Sequence, residues 1–244
     1  MRLLIDIGNT RIKYLLQQKK NSITANNLVN IDYLSFPSLL ASDVFSDVSE
    51  VIVANVQGNE LINVIEEWAL QGEVSFIQVY SQSKAFGVSS CYEQPEHLGV
   101  DRWLALIAAH QLYPRENVLI IDAGTAITVD LLAKNGEHIG GWIMPGVQTM
   151  FDSLLGNTKK VFAEQQNISI LSFGENSSEC VNLGIWAMVS GAINNAIAQA
   201  NETLTLDKVI VTGGNSEQIA KIMSANAEII PELLFHGLSC FHAS

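Results

Sequence analysis

The chain has 244 residues, 48% of them hydrophobic, enough to bury one large core or two modest ones. Its formal net charge of −12 argues against nucleic acid or an anionic membrane surface as main partner, since both need basic patches, yet leaves room for a nucleotide that arrives with Mg²⁺. Cys91, Cys180 and Cys240 are widely spaced with no C-x-x-C or Cys/His cluster, which reads as reduced cytoplasmic thiols and no structural zinc.

Arg2 to Gln17 reads as a β-hairpin, with no export leader ahead of it, and Ser49 to Asn55 as a short buried strand. Leu61, Ile65 and Trp68 fall one helical turn apart with Glu66 and Glu67 on the wet side, predicting a helix over 59–71. Val74 to Tyr80 returns as a strand, and Ser81 to Gly99 is a long polar loop, more often functional than idle in a compact domain. The pattern from Val100 to Tyr113 is helical and stops before Pro114, so the break divides an N-terminal domain, residues 1–115, from a C-terminal one, residues 116–244.

The second half opens with a strand from Leu119 and a returning strand from Ile127 to Leu132, then a hairpin signal at Asn135-Gly136 and a third strand toward Trp142. A helix over 146–155, a polar connector over 156–176 and a long helix from Ser177 to about Ala200 follow. Gly184 and Gly191 lie two turns apart on that helix and offer a face for a close backbone approach, such as a subunit contact. Leu206 to Val211 is a strand, 216–225 a helix, and 228–230 a last strand. No uncharged stretch is expected to reach the roughly 18 residues of a membrane span.

One unit occurs twice. Leu3-Leu4-Ile5-Asp6-Ile7-Gly8-Asn9-Thr10 and Leu119-Ile120-Ile121-Asp122-Ala123-Gly124-Thr125 are each an apolar run ending in Asp-x-Gly with Thr close behind, then a second apolar run. Glycine lets the backbone approach a bulky anion, while threonine hydroxyls and turn N–H groups can donate to phosphate oxygens. Two such turns suit the grip of one nucleotide. No G-x-x-x-x-G-K-[ST] or G-x-G-x-x-G accompanies them, so neither a P-loop nor a dinucleotide fold is expected.

The ordered set Asp6-Ile7-Gly8-Asn9-Thr10, Gly99-Val100-Asp101-Arg102, Asp122-Ala123-Gly124-Thr125-Ala126, Met144-Pro145-Gly146 and Val211-Thr212-Gly213-Gly214 closely resembles type III pantothenate kinases, of the actin, sugar-kinase and acetate-kinase superfamily. The resemblance spans residues 3 to about 238. It implies an α/β fold with two actin-like (ribonuclease H-like) domains, mixed sheets flanked by helices, and ATP between the halves. It also implies transfer of the γ-phosphoryl group to pantothenate as the first step of coenzyme A synthesis, a K⁺ or NH₄⁺ requirement and a homodimer.

Phosphoryl transfer asks for positioning, neutralised oxygens and an acceptor for the hydroxyl proton. Asp101 at a helix start beside Arg102 can accept from an alcohol; the plain alternative is an N-cap with its ion-pair partner. By resemblance, Tyr92, Gly99, Val100, Asp101 and Arg102 hold pantothenate. The turn residues Asp6, Ile7, Gly8, Asn9, Thr10, Arg11, Ile12 and Lys13 face ATP, with Asp6 on its Mg²⁺ side through water. Asp122 matches the monovalent-cation position and Thr125 an ATP contact. Asp6, Asp122 and Thr125 could instead serve only their turns, Lys13 could be merely solvated, and Tyr92 could be packing. Ser177 stands where the family more often has Thr; it keeps a hydroxyl for pantothenate, yet either Ser177 or Ser178 could be a helix N-cap. Gly213 and Gly214 suit either an adenine platform or a strand-to-helix turn. The five histidines lack ligand spacing, and the four tryptophans read as core or dimer contacts. A non-catalytic regulator on the same scaffold and a kinase or phosphatase acting on a sugar or polyphosphate are the alternatives.

Overall fold

The computed structural model describes residues 1–18, 23–158, 163–166, 168 and 170–242, so part of the connector expected over 156–176 lies outside the described residues. The chain divides into two units, Met1–Leu112 with Glu232–Ser244, and Tyr113–Pro231.

In the first unit, β1 (Arg2–Ile7) and β2 (Ile12–Gln17) form the expected hairpin, and β3 (Val29–Ile31) adds to its outer edge. The short helix α1 (Phe36–Leu40) leads to β4 (Glu50–Asn55), which pairs parallel with β1; α2 (Glu60–Gln71) then leads to β5 (Ser75–Gln78), giving the order β3-β2-β1-β4-β5. Both faces of the sheet are covered, so β1 and β4 read as continuous apolar runs rather than alternations. Leu3, Ile5 and Ile7 pack with Phe36, Phe45 and Ile65 on one face. Leu4 and Ile52 are buried on the other, where α3 (Val100–Leu112) and a C-terminal helix lie. Strand alternation puts Asp6 on the Leu4 face.

Two details differ from the sequence reading. The buried stripe of α2 is Ile62, Ile65 and Ala69, with Leu61 and Trp68 packed at its margin. The loop over 81–99 contains a small hairpin, β6 (Lys84–Ala85) and β7 (Val88–Ser89), turned by Phe86 and Gly87 at positive φ (50° and 86°).

The second unit repeats the plan. β8 (Val118–Ala123), β9 (Ala126–Leu132) and β10 (His138–Pro145) run antiparallel, with Gly136 at φ 85° turning the hairpin that Asn135-Gly136 signals. After α4 (Val147–Gly156) and α5 (Ser177–Thr203), β11 (Lys208–Thr212) pairs parallel with β8, and α6 (Ser216–Ile222) leads to β12 (Glu228–Ile229). The order β10-β9-β8-β11-β12 matches the first sheet strand for strand. The duplication seen in the Asp-x-Gly runs is therefore a duplication of topology.

Helix α5 corrects one expectation. It is uncharged from Cys180 to Asn201, and by length and composition it could cross a membrane. Its apolarity has another cause here, because Ile185, Trp186, Val189, Ile193, Ala196, Ile197 and Ala200 form the core against β8, β9 and β11. Trp103 and Trp186 are likewise core residues, as expected for two of the four tryptophans.

The last helix, α7 (Leu233–Leu238), has no counterpart in the sequence reading and changes its domain boundaries. It packs on α3 and β1 in the first unit, so residues from Glu232 onward leave the C-terminal half to which the sequence assigned them. The contact is backbone-close, since a Cβ on Gly237 would meet the Leu104 carbonyl oxygen at 2.3 Å. Arg2 ties down the same segment by donating to the carbonyls of Ser239 (3.1 Å) and Phe241 while pairing with Glu50 at 2.6 Å.

Candidate active site

The first turn begins where β1 ends. Gly8 N–H donates to the Arg11 carbonyl at 3.3 Å, and a Cβ on Gly8 would sit 3.2 Å from that oxygen, so the turn closes tightly on itself. The carbonyls of the turn are taken by side chains the sequence reading passed over. Tyr33 Oη donates to the Gly8 carbonyl, and Gln57 Nε2 donates to the Asn9 carbonyl at 2.9 Å and to Asn9 Oδ1 at 3.3 Å. A signal for Gln57 exists in the register: Ile7 lies beside Asn55 in the parallel pair, so whatever follows Asn55 reaches the turn that follows Ile7.

Three charged side chains of this unit interact here. Asp6 is 6% exposed and lies opposite Lys13 across the β1–β2 pair. Burial pushes its carboxyl up to about 6; the Lys13 ammonium opposes that rise, and the Asp101 carboxylate adds to it. Folding thus brings Asp101, distant in sequence, to the Asp6–Lys13 pair of the hairpin. A buried carboxylate with a second one close by and one lysine is the electrostatic setting a divalent cation would relieve.

Asp101 and Arg102 start α3, the Gly99 carbonyl accepting from Trp103 N–H at 3.0 Å. Asp101 Oδ1 accepts from Arg102 N–H at 2.8 Å and lies so close to Gly99 that a Cβ there would meet it at 2.5 Å. Gly99 is therefore what leaves room for the carboxylate. Arg102 is buried, donates to Tyr92 Oη at 2.8 Å and lies over the Tyr92 ring at 5.7 Å. The Tyr92 ring is thus docked on the Gly-Val-Asp-Arg segment.

Asp122, Thr125 and Ser177 belong to the second unit. There the turn is clasped by close backbone and by one side chain. Gly146 N–H and Thr149 Oγ1 both donate to the Thr125 carbonyl at 3.0 Å, and a Cβ on Gly146 would meet that oxygen at 2.4 Å. Gly213, at φ 88°, lies against Asp122: a Cβ would meet Asp122 Oδ1 at 2.4 Å and the Ala123 backbone at 2.7 Å. Met144-Pro145-Gly146 and Thr212-Gly213-Gly214 thus act as close supports of the Asp122 turn, whereas Gly214 has open space where a Cβ would be. Ser177 is exposed and is the first residue of α5, while the N-cap is Asn176, whose side chain accepts from Glu179 N–H at 3.0 Å, so neither serine caps the helix. Ser178 instead accepts from Glu164 N–H at 3.2 Å.

Among the described residues no three His, Cys, Asp or Glu side chains are grouped to hold a metal. His138, fully buried, pairs with Asp130 at 2.9 Å inside the second sheet, a structural pair that sheet register brings together.

Comparison with known proteins converges on one family. The profile of the type III pantothenate kinases matches residues 2–199. A type III pantothenate kinase of Colwellia psychrerythraea is 40% identical over 98% of both chains, and one of Pseudoalteromonas translucida is 36% identical over 99% of this chain and 96% of the relative. Among solved structures, a Campylobacter jejuni protein described as a Baf family transcriptional activator matches with a TM-score of 0.64 at 20% identity, covering 98% of this chain and 96% of that one. A 2-dehydro-3-deoxygalactonokinase from Sinorhizobium meliloti matches with a TM-score of 0.60 at 12% identity, covering 98% and 95%. At such identities the structural likeness speaks for the two-domain α/β kinase fold alone.

Proposed function

The chain belongs to the type III pantothenate kinase family, and on that premise we propose that it transfers the γ-phosphoryl group of ATP to the primary hydroxyl of pantothenate, giving 4′-phosphopantothenate for coenzyme A synthesis. The observation that carries the reading is the meeting of Asp6, Lys13 and Asp101 beside the Gly8 turn, in a chain whose relatives above are type III pantothenate kinases.

In the proposed reaction the acceptor hydroxyl donates its proton to Asp101 as its oxygen bonds to the γ-phosphorus, and the bond from that phosphorus to the β–γ bridging oxygen breaks, releasing ADP. Residues 6–13 hold the phosphates, the turn through its N–H groups and the Thr10 hydroxyl, Lys13 as a point charge. Asp6 is the group that would steady, through water, Mg²⁺ arriving with the nucleotide, whose charge would neutralise phosphate oxygens. Tyr92, Gly99, Val100 and Arg102 form the pantothenate side, Arg102 by fixing the Tyr92 hydroxyl, and Ser177 is likewise assigned to pantothenate. Asp122 is assigned to K⁺ or NH₄⁺ and Thr125 to ATP. The protein is further assigned to the cytoplasm and to a homodimer. Support for the dimer comes from α5, where a Cβ on Gly184 or Gly191 would meet nothing within 4 Å and Met188 between them is 59% exposed.

The test is ADP release with pantothenate, Mg²⁺ and ATP, run in potassium and then in sodium. Turnover dependent on pantothenate and greater in potassium is expected, and Asp101→Asn should lower kcat by about 10²- to 10⁴-fold. Nucleotide binding without turnover of any alcohol would return the protein to the regulatory reading.

A further inference from the structure

We propose that Tyr33, assisted by Gln57, is a positioning residue for the nucleotide phosphates: by engaging the carbonyls of Gly8 and Asn9, the two side chains set the peptide planes on either side of Asn9 and so aim the N–H groups of the first turn. The inference rests on the phosphoryl-transfer reading above and goes beyond it, because neither residue lies in the Asp-x-Gly motif.

The argument starts from the peptide group. In a trans peptide the C=O and N–H point in opposite directions, so a partner that fixes one carbonyl also fixes the direction of the next residue's N–H. Tyr33 Oη holds the Gly8 carbonyl and hence the direction of the Asn9 N–H; Gln57 Nε2 holds the Asn9 carbonyl at 2.9 Å and hence the next plane. A four-residue link between Ile7 and its partner Ile12 has no helix or strand ladder to set these planes. Side chains from outside the turn do it instead.

Both supports are themselves braced. Tyr33 lies between β3 and α1, where Asp32 Oδ1 accepts from the N–H groups of Leu34 (3.0 Å) and Ser35 (2.9 Å) and Asp32 Oδ2 from Ser35 Oγ (2.8 Å). Three residues past Tyr33, Phe36 is fully buried and anchors the segment in the core. Gln57 is held by Asn55, whose Oδ1 accepts from Gln57 N–H at 2.9 Å and whose Nδ2 donates to the carbonyls of Gln57 and Gly58, each at 3.2 Å. Burial and the Asp6 charge both raise the Tyr33 phenol above its usual range, so it stays a donor at any working pH. A braced donor on each plane is the preorganisation that an anion-binding turn needs.

Tyr33→Phe deletes only the hydroxyl. It should raise KM for ATP, and weaken binding of a non-hydrolysable ATP analogue with Mg²⁺ by calorimetry, by about 5- to 20-fold, the range for misaligning a donor to a charged group. KM for pantothenate should move by less than about twofold, with kcat largely kept. Gln57→Leu should act in the same direction, and Tyr80→Phe, an exposed tyrosine, should act in neither. Unchanged analogue affinity in Tyr33→Phe would overturn the proposal, as would both KM values rising together with a fall in Tm, the mark of a merely structural role. If the wild type binds the analogue yet leaves pantothenate untouched, the kinase reading fails while analogue affinity still decides for or against Tyr33. A wild type that binds no nucleotide overturns both.

Discussion

The two Asp-x-Gly turns stand on equivalent strands of equivalent sheets, yet they are held by different means. The first links Ile7 to Ile12 through residues 8–11, and side chains from other segments, Tyr33 and Gln57, hold its carbonyls. The second links Ala123 to Ile127 through residues 124–126, one residue fewer, and is clasped by Gly146 and Gly213 at distances that exclude a Cβ. The carboxylates differ in the same way: Asp6 is buried opposite Lys13, whereas Asp122 is paired across β9 and β11 with Thr128 and Thr212. A turn held through side-chain hydrogen bonds leaves nearly enough room for an added Cβ; one wedged against backbone at such distances does not. Two topologically equivalent hairpins thus carry one turn held through side chains and one wedged against backbone.

The sharpest way to break that contrast is to add a methyl group to the wedged turn. Gly213→Ala combines an unfavourable φ of 88° with a Cβ 2.4 Å from Asp122 Oδ1 and 2.7 Å from the Ala123 backbone, contacts that cannot be relieved by a side-chain rotation alone. It should destabilise the protein by about 3–5 kcal/mol, read by denaturant unfolding. Gly146→Ala, 2.4 Å from the Thr125 carbonyl, should cost a similar amount. Gly214→Ala, with open space around it, should be close to neutral. If Gly213→Ala unfolds at the wild-type denaturant concentration, the second turn is not wedged.

The duplication was legible in the sequence because each turn ends an apolar run with the same short signature, and local patterns survive in a chain read one window at a time. The supports of the turns were not, because each is a long-range contact. Tyr33 lies between a strand of three residues, β3, and a helix of five, α1, too short for periodicity to register. Met144-Pro145-Gly146 and Thr212-Gly213-Gly214 stood out as motifs, but their use as wedges against Thr125 and Asp122 depends on sheet order. Helix α7 escaped notice because Leu233-Leu234-Phe235-His236-Gly237-Leu238 is apolar nearly all round, and its place beside α3 is set by the missing Cβ of Gly237. The uncharged length of α5 escaped notice as well: by composition it describes a span, whereas burial against β8, β9 and β11 describes a core helix.

The side-chain-held turn should reveal its electrostatic cost through pH. The Asp6 carboxyl sits at about 6 in the folded chain against 3.8 in the open one, so the folded state favours the protonated form. Stability owed to neutral Asp6 is complete below about pH 4, declines between pH 4 and 6, and is lost above, a difference of about 3 kcal/mol. Asp6→Asn is neutral throughout. Without nucleotide or Mg²⁺ it should therefore be more stable than wild type at pH 7.5, by up to about 3 kcal/mol, with the gap closing at pH 4. Its activity should fall, since the charge that burdens the empty turn is the one assigned to the metal side of ATP. A variant less stable than wild type at pH 7.5 would mean that Lys13 more than offsets the burial of Asp6.

A small expected effect on stability is the most direct measure of how the turns differ. A Cβ on Gly8 would meet only the Arg11 carbonyl oxygen, at 3.2 Å, and φ there is not in the left-handed region, so a shift of a few tenths of an ångström accommodates it. Gly8→Ala should change unfolding free energy by less than about 1 kcal/mol, part of it a gain from a stiffer unfolded chain. That oxygen accepts the Gly8 N–H, however, so relieving the contact stretches the bond that closes the turn and swings the Asn9 peptide away from the line set by Tyr33. The variant should therefore keep its Tm within a few degrees of wild type and still lose ATP affinity measurably, whereas Gly213→Ala loses stability first. Equal destabilisation by the two alanines would mean that both turns are wedged alike, and the division into a side-chain-held and a wedged turn would have to be given up.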